Sequence, residues 1–156
     1  MVELPLGVDV PDGWVPVDPA EAGAPGAALV VVLPTPEGEF TPNITVGIGD
    51  PASTVDVERA ADEAVRRLSD VADELEVRSR QDVGEDPAPG VAQVIDLLVG
   101  GQRLAQYQVH LSIPLPADEG HVPVEIAGTC TPSQAERAVP DFQRLVASFH
   151  LRADDE

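Results

Sequence analysis

The chain has 156 residues, 43% hydrophobic and only 3% aromatic, with 28 acidic residues against nine basic ones and a formal net charge of −19. That length makes one domain with an aliphatic core, burying roughly 70% of the surface that the unfolded chain exposes. The charge excludes nucleic acid and anionic membrane surfaces as partners, because like charge repels both.

All nine bases are Arg, and an acidic, lysine-free chain rich in Ala, Val, Gly and Pro has the composition of a high-GC actinobacterium or a haloarchaeon. Most of the acidity reads as general solubility. The single Cys130 can form no internal disulfide and no Cys-rich zinc site. No basic-then-apolar leader and no membrane-spanning apolar run is present. As given, the chain is expected in the cytoplasm; an envelope location follows if a lipoprotein leader has been removed.

Residues 4–17 (LPLGVDVPDGWVPV) predict a short strand, a turn and a second extended piece. Pro11 presets φ and Gly13 tolerates positive φ, which places the turn at Pro11–Gly13, just before Trp14. After a Pro/Gly/Ala loop over 18–26, Ala27–Leu33 is a near-continuous apolar run and reads as a central strand. Turn-prone residues over 35–42 precede Asn43–Gly49, where Ile44, Val46 and Ile48 alternate onto one face. Helical spacing then begins. Val57, Ala61, Ala64, Leu68, Val71 and Ala72 share one side, and Ser53, Thr54 or Asp56 can cap the helix. The other side carries the pairs Arg59–Glu63, Asp62–Arg66, Glu63–Arg67 and Arg66–Asp70. Each contributes about 0.2–0.5 kcal/mol, and this side reads as a solvated surface rather than a site.

Leu75–Val83 is the next predicted strand, followed by a polar connection, Gly84–Gly90. Val91–Val99 and Leu104–Ile113 form a hairpin across Gly100–Arg103, where Gly-Gly supplies positive φ. In its second strand Ala105, Tyr107, Val109, Leu111 and Ile113 take one face, and Gln106, Gln108, His110 and Ser112 the other. Such alternation predicts one face on a core and one in water. An acidic loop over Pro114–His121 leads to the last strand, Val122–Thr129. Thr131-Pro132-Ser133-Gln134 has the form of a capping box with Pro at the first helical position. Ala135, Ala138, Val139, Phe142, Leu145, Val146 and Phe149 keep one apolar stripe. Pro140 interrupts it, at about 3 kcal/mol in a continuous helix, so the main helix is expected to begin at Pro140 after a short turn. Residues 152–156 read as a disordered acidic tail.

Four strands, a helix, four strands and a helix offer too few helices to cover both sheet faces. The expected class is α+β: one domain over 1–156, a curved antiparallel sheet of about six to eight strands with two main helices packed on it.

Candidate chemistry is sparse. His110, on the polar strand face beside Gln106 and Gln108, could act as an acid or base, but an ordinary exposed strand histidine fits better. His121 and His150 lie far from any metal-ligand spacing. Cys130 precedes a helix cap, where a thiol can be activated, but a small buried residue at a strand end fits better. Asp96, inside the apolar run QVIDLLV, either faces water or is a buried acid with a partner. Gly47-x-Gly49 lacks the third glycine of a dinucleotide fingerprint, and Asn43-Ile44-Thr45 matches a glycosylation sequon without consequence in a bacterium. No GxSxG, HExxH, CxxC or phosphate-loop motif occurs, so neither enzymatic activity nor a metal or cofactor is expected.

FTPNITV at Phe40–Val46 before the first helix, AVPDFQRLVASFHL at Ala138–Leu151, and the early Pro11–Trp14 turn carry a resemblance that spans nearly the whole chain. The chain resembles the actinobacterial LpqN/LpqT lipoprotein family and, more broadly, the PsbP-like fold. That resemblance implies a curved antiparallel sheet with helices against it. It also implies a protein-binding role: the fold serves as a photosystem subunit, a Ran-binding protein, type VI secretion chaperones of the Eag type and mycobacterial envelope lipoproteins. Unlike LpqN, this sequence has no leader and no lipobox Cys.

The function expected is therefore a non-catalytic module that binds another protein, a chaperone or adaptor linked to the envelope or secretion. Gln106, Gln108 and His110, on a sheet face left open by the helices, are the expected contact residues. Two alternatives stand beside it. One is a small-molecule or lipid carrier, or a hydrolase, with a helix–sheet pocket near Trp14 and Tyr107. The other is an acidic immunity protein that neutralises a basic toxin.

Overall fold

The computed structural model describes residues 6–24, 26–85, 88–115 and 119–151. In chain order they form β1 (Leu6–Gly7), β2 (Val15–Val17), β3 (Leu29–Val32), β4 (Asn43–Ile48), α1 (Val57–Ser69), β5 (Glu74–Glu85), β6 (Ala88–Val99), β7 (Gln102–Pro114), β8 (His121–Cys130), α2 (Ala135–Ser148) and β9 (His150–Leu151). Seven strands pair in the order β2-β3-β4-β8-β7-β6-β5, every neighbour antiparallel, and β1 pairs separately with β9. The result is an open seven-stranded antiparallel sheet with two helices. The terminal segment 152–156 lies outside the described residues.

Local chemistry sets the element ends. Trp14 N donates to Pro11 O at 3.2 Å, closing the first turn with Gly13 at φ +90. Asp56 is the cap that α1 uses, its Oδ1 accepting from Arg59 N at 3.1 Å. Gly100 and Gly101, at φ +57 and +82, form a two-residue loop of the kind that matches strand twist, and pair Val99 with Gln102. The glycine turn is thus shorter than the sequence reading placed it. β5 and β6 likewise run through Gly84 and Gly90, which the pattern had assigned to a connection.

The two helices lie on opposite faces. α2 packs on β7 and β8 over the side chains of Tyr107, Val109, Ile126 and Gly128, where Phe142 and Leu145 join Trp14, Val31, Ile44 and Val46 in the main aliphatic core. α1 packs on β5, β6 and β7 over the other face, bringing Ala61 and Ala64 down with no exposure above 1%. This corrects the expectation that one face stays wet: Gln108, His110 and Ser112 are each 2% exposed, because α1 folds back over them. Small alanines on its contact side let the helix approach that closely.

Pro140 also departs from expectation. A 3₁₀ turn over Pro132–Gln134 leads directly into α2 at Ala135, so Pro140 sits inside the helix rather than opening it. The predicted capping box is present at Thr131–Gln134, with Gln134 Oε1 accepting from Thr131 N at 2.9 Å.

Candidate functional site

The three residues singled out from the sequence lie in one hydrogen-bonded row beneath α1. Register explains why. Gln93 of β6 is the direct partner of Gln108, which faces Ala127 of β8, while Gln106 faces Thr129. Arg80, on edge strand β5 opposite Gln93, begins the row. A guanidinium can only donate, so its Nε bond to Gln93 Oε1 (3.0 Å) fixes the orientation of that amide. Gln93 Nε2 then donates to Gln108 Oε1 (2.7 Å) and Ala61 O (3.2 Å). Gln108 Nε2 donates to Gln106 Oε1 (2.5 Å), and Gln106 Nε2 to Thr129 Oγ1 (2.9 Å). One arginine thus orients three amides.

The same logic fixes His110. Its Nε2 lies 2.9 Å from Gln108 Oε1, an atom that can only accept, so Nε2 carries the proton. Nδ1 keeps its lone pair, 3.9 Å from Glu125 Oε1. Burial pushes the imidazole pKa below its ordinary 6.5; nearby Glu125 raises it, and Arg67 and Arg80 lower it. His110 is accordingly a neutral, buried acceptor at pH 7.

α1's charged side stays exposed, as the solvated reading expects, with charges such as Arg67 and Asp62 also pairing to the sheet. Arg67 reaches Glu125 Oε1 at 2.9 Å, and Asp62 accepts from Arg80 at 2.6 Å. Of the predicted intrahelical pairs, Arg59–Glu63 is formed, at 3.5 Å. The buried amides and imidazole of the row are structural polar cement; Gln108 and His110, each 2% exposed, offer no face on which a protein partner could dock. Gln106, partly exposed, remains at the end of the row.

On the other face, sequence reasoning missed Asp141. It is 5% exposed within α2 and accepts from Trp14 Nε1 at 2.8 Å, Arg137 Nε at 3.1 Å and Arg144 Nη1 at 2.9 Å. The signal was present: an acid on the apolar stripe, with Arg at i−4 and i+3. The pocket expected beside Trp14 and Tyr107 is filled, leaving about 10 Å³. Beyond Tyr107, however, α2 leaves β5 and β6 bare. There an open groove of about 380 Å³ is lined by Val83, Ala92, Val94, Tyr107, Val139 and Val146, with Gln81 and Gln143 beside them. Cys130 is a buried strand-end residue whose thiol burial pushes up, and Asp96 is half-buried and paired with Arg78. His121 Nδ1 lies 3.3 Å from Ser53 O. Among the described residues, no three His, Cys, Asp or Glu side chains gather as a metal site would require. No described helix is long and apolar enough to cross a membrane.

No protein-family model matches the chain, and no curated protein matches it either. Solved structures do share its architecture. LpqN, involved in cell envelope biogenesis of Mycobacterium tuberculosis, is 13% identical with a TM-score of 0.69, over 95% of this chain and 83% of that one. Cyanobacterial PsbP from Synechocystis is 15% identical with a TM-score of 0.62, over 96% and 94%. The Saccharomyces cerevisiae Ran-binding protein Mog1p is 16% identical with a TM-score of 0.56, over 94% and 90%. At such identities the likeness is one of fold, and it places the chain among PsbP- and Mog1-like architectures.

Proposed function

We propose that this chain is a non-catalytic binding module whose partner is another protein, taken up in the groove beside α2. The observation that carries this reading is the groove itself. A sheet face covered by a helix on one half and left apolar and open on the other is shaped to receive side chains of a partner. The net charge of −19 favours a basic partner and speeds its approach. A fold shared with a Ran-binding protein and an envelope-biogenesis protein supports the reading as analogy of architecture alone. Its most specific form is a chaperone or adaptor acting in secretion or at the cell envelope.

The experiment is cross-linking and mass spectrometry in the source cells with wild type and Val94→Arg, which puts a charge in the groove. A partner lost in the variant, at unchanged melting temperature, supports the assignment. An undiminished partner set counts against this face. Gln108→Arg would not serve, since it would bury a charge under α1 and unfold the domain.

A further inference from the structure

α1 covers β5 to β7 and leaves β8 and β4 partly open on the same face, at Thr45, Gly47, Pro123 and Glu125. Between α1 and the chain at Ala24 and Ala27 lies a groove of about 580 Å³, on the opposite side of the sheet from the one beside α2. Its floor contains one rung of direct cross-strand neighbours: His110 on β7, Glu125 on β8 and Gly47 on β4.

Gly47 calls for an explanation. Glycine weakens a strand interior, and where it occurs there it usually marks a turn of φ, a tight contact or a close ligand. Gly84 has φ +74, while a Cβ on Gly90 or Gly128 would come within 2.7 Å of Leu111 or 2.6 Å of Phe142. Gly47 has neither reason. Its φ lies outside the left-handed region, and the nearest atom to an added Cβ would be Glu125 O at 3.9 Å, an ordinary contact. The space over Gly47 is the groove.

Beside that space stand two acceptors with no donor between them. His110 Nδ1, on a side chain 2% exposed, accepts no hydrogen bond from the described residues, and the Glu125 carboxylate lies 3.9 Å away. Arg67 steadies Glu125 from α1, while Val57 and Ala60 form an apolar wall. An ammonium head carries three donors, enough to satisfy both acceptors, and the protein's negative field concentrates cations. A carboxylate or phosphate would find Arg67, the cationic donor in the lining, already engaged by Glu125, and would meet two acceptors and that field beside it.

We propose that this groove binds a small amphiphilic amine, its ammonium donating to His110 Nδ1 and Glu125 and its apolar body lying over Gly47 against Val57 and Ala60. The site shares no residue with the groove beside α2, so either assignment can fail without the other.

Three probes with one body test it: phenethylamine, 2-phenylethanol and phenylacetate, titrated into isotope-labelled protein and followed by NMR. Phenethylamine should give saturable shifts centred on His110 and Gly47, the alcohol should bind about tenfold more weakly or worse, and the acid should not bind. Gly47→Val puts a side chain into the groove whose Cβ meets nothing closer than 3.9 Å, so it should melt like wild type and lose amine affinity about tenfold or more. Glu125→Gln keeps the shape and removes the charge, with a loss of about tenfold. The proposal is overturned by absence of a saturable shift, by alcohol or acid binding as tightly as the amine, or by wild-type affinity in either folded variant. If Gly47→Val melts differently from wild type, Glu125→Gln alone decides.

Discussion

His110 is the residue where burial and titration meet. Its folded pKa is depressed, so the unfolded chain takes up a proton near pH 6.5 that the folded chain resists. The stability this group supports is complete above about pH 6.5 and declines as pH falls below it. In His110→Gln, which can still donate to Gln108 Oε1, that decline should be absent. Chemical denaturation of both proteins from pH 7.5 to 5 checks it: the wild-type advantage should shrink with acid, and a constant difference would refute the buried neutral state. Phe142 makes a second residue-scale case. Its ring lies on Gly128, closer than any Cβ there could tolerate, and tilts 47° against Tyr107 with centroids 6.4 Å apart. Phe142→Ala should lose about 3–5 kcal/mol in denaturation, because so aliphatic a core has little to refill the hole. A near-neutral result would mean that α2 is not docked on the sheet.

α2 shows what a helix can absorb. Pro140 removes the N–H that would reach the carbonyl of Glu136, yet the helix continues, held by Ala138, Phe142 and Leu145 in the core and by Asp141 against Trp14. Restoring the N–H with Pro140→Ala should therefore stabilise by about 1 kcal/mol or more. A thermal melt reads this as a rise of about 2–4 °C, whereas a fall would mean that the helix begins at Pro140 in solution. The expected break at Pro140 failed because tertiary packing outweighed a local penalty. Elsewhere the elements were legible: each predicted strand and both helices exist, since alternation and helical spacing are local signals. Register was less so. A two-residue loop at Gly100-Gly101 pairs Gln93 with Gln108, but a four-residue turn over Gly100–Arg103 would have set Gln93 opposite His110. That difference hid the glutamine row, whose members were visible one by one.

At the scale of the whole molecule, what stayed illegible was which face α1 would cover. A polar strand face normally predicts water; here three amides, a histidine and an arginine satisfy one another, so a helix can lie on them without leaving a donor stranded. With that face covered, grooves remain on both sides of the sheet, one beside α1 and one beside α2. The surface around them is strongly acidic. Arg59, Arg67, Arg78, Arg80, Arg137 and Arg144 each already sit beside a carboxylate, so most of the excess negative charge has no local counterion. The exposed pairs among them, such as Arg59–Glu63 and Arg67–Glu125, contribute only about 0–1 kcal/mol each, whereas repulsion among the remaining carboxylates acts throughout the compact state and not in the expanded one. Salt that shortens the Debye length from about 30 Å to about 8 Å should relieve more repulsion than it weakens attraction. Melting temperature should consequently rise between 0.01 M and 0.15 M ionic strength, by about 2–4 °C for each kcal/mol relieved. Over the same range, association of a basic partner with the groove beside α2 should slow, since the field that steers it is screened. A melting temperature that falls with salt would show that the paired charges, not the excess ones, dominate the electrostatics of the fold.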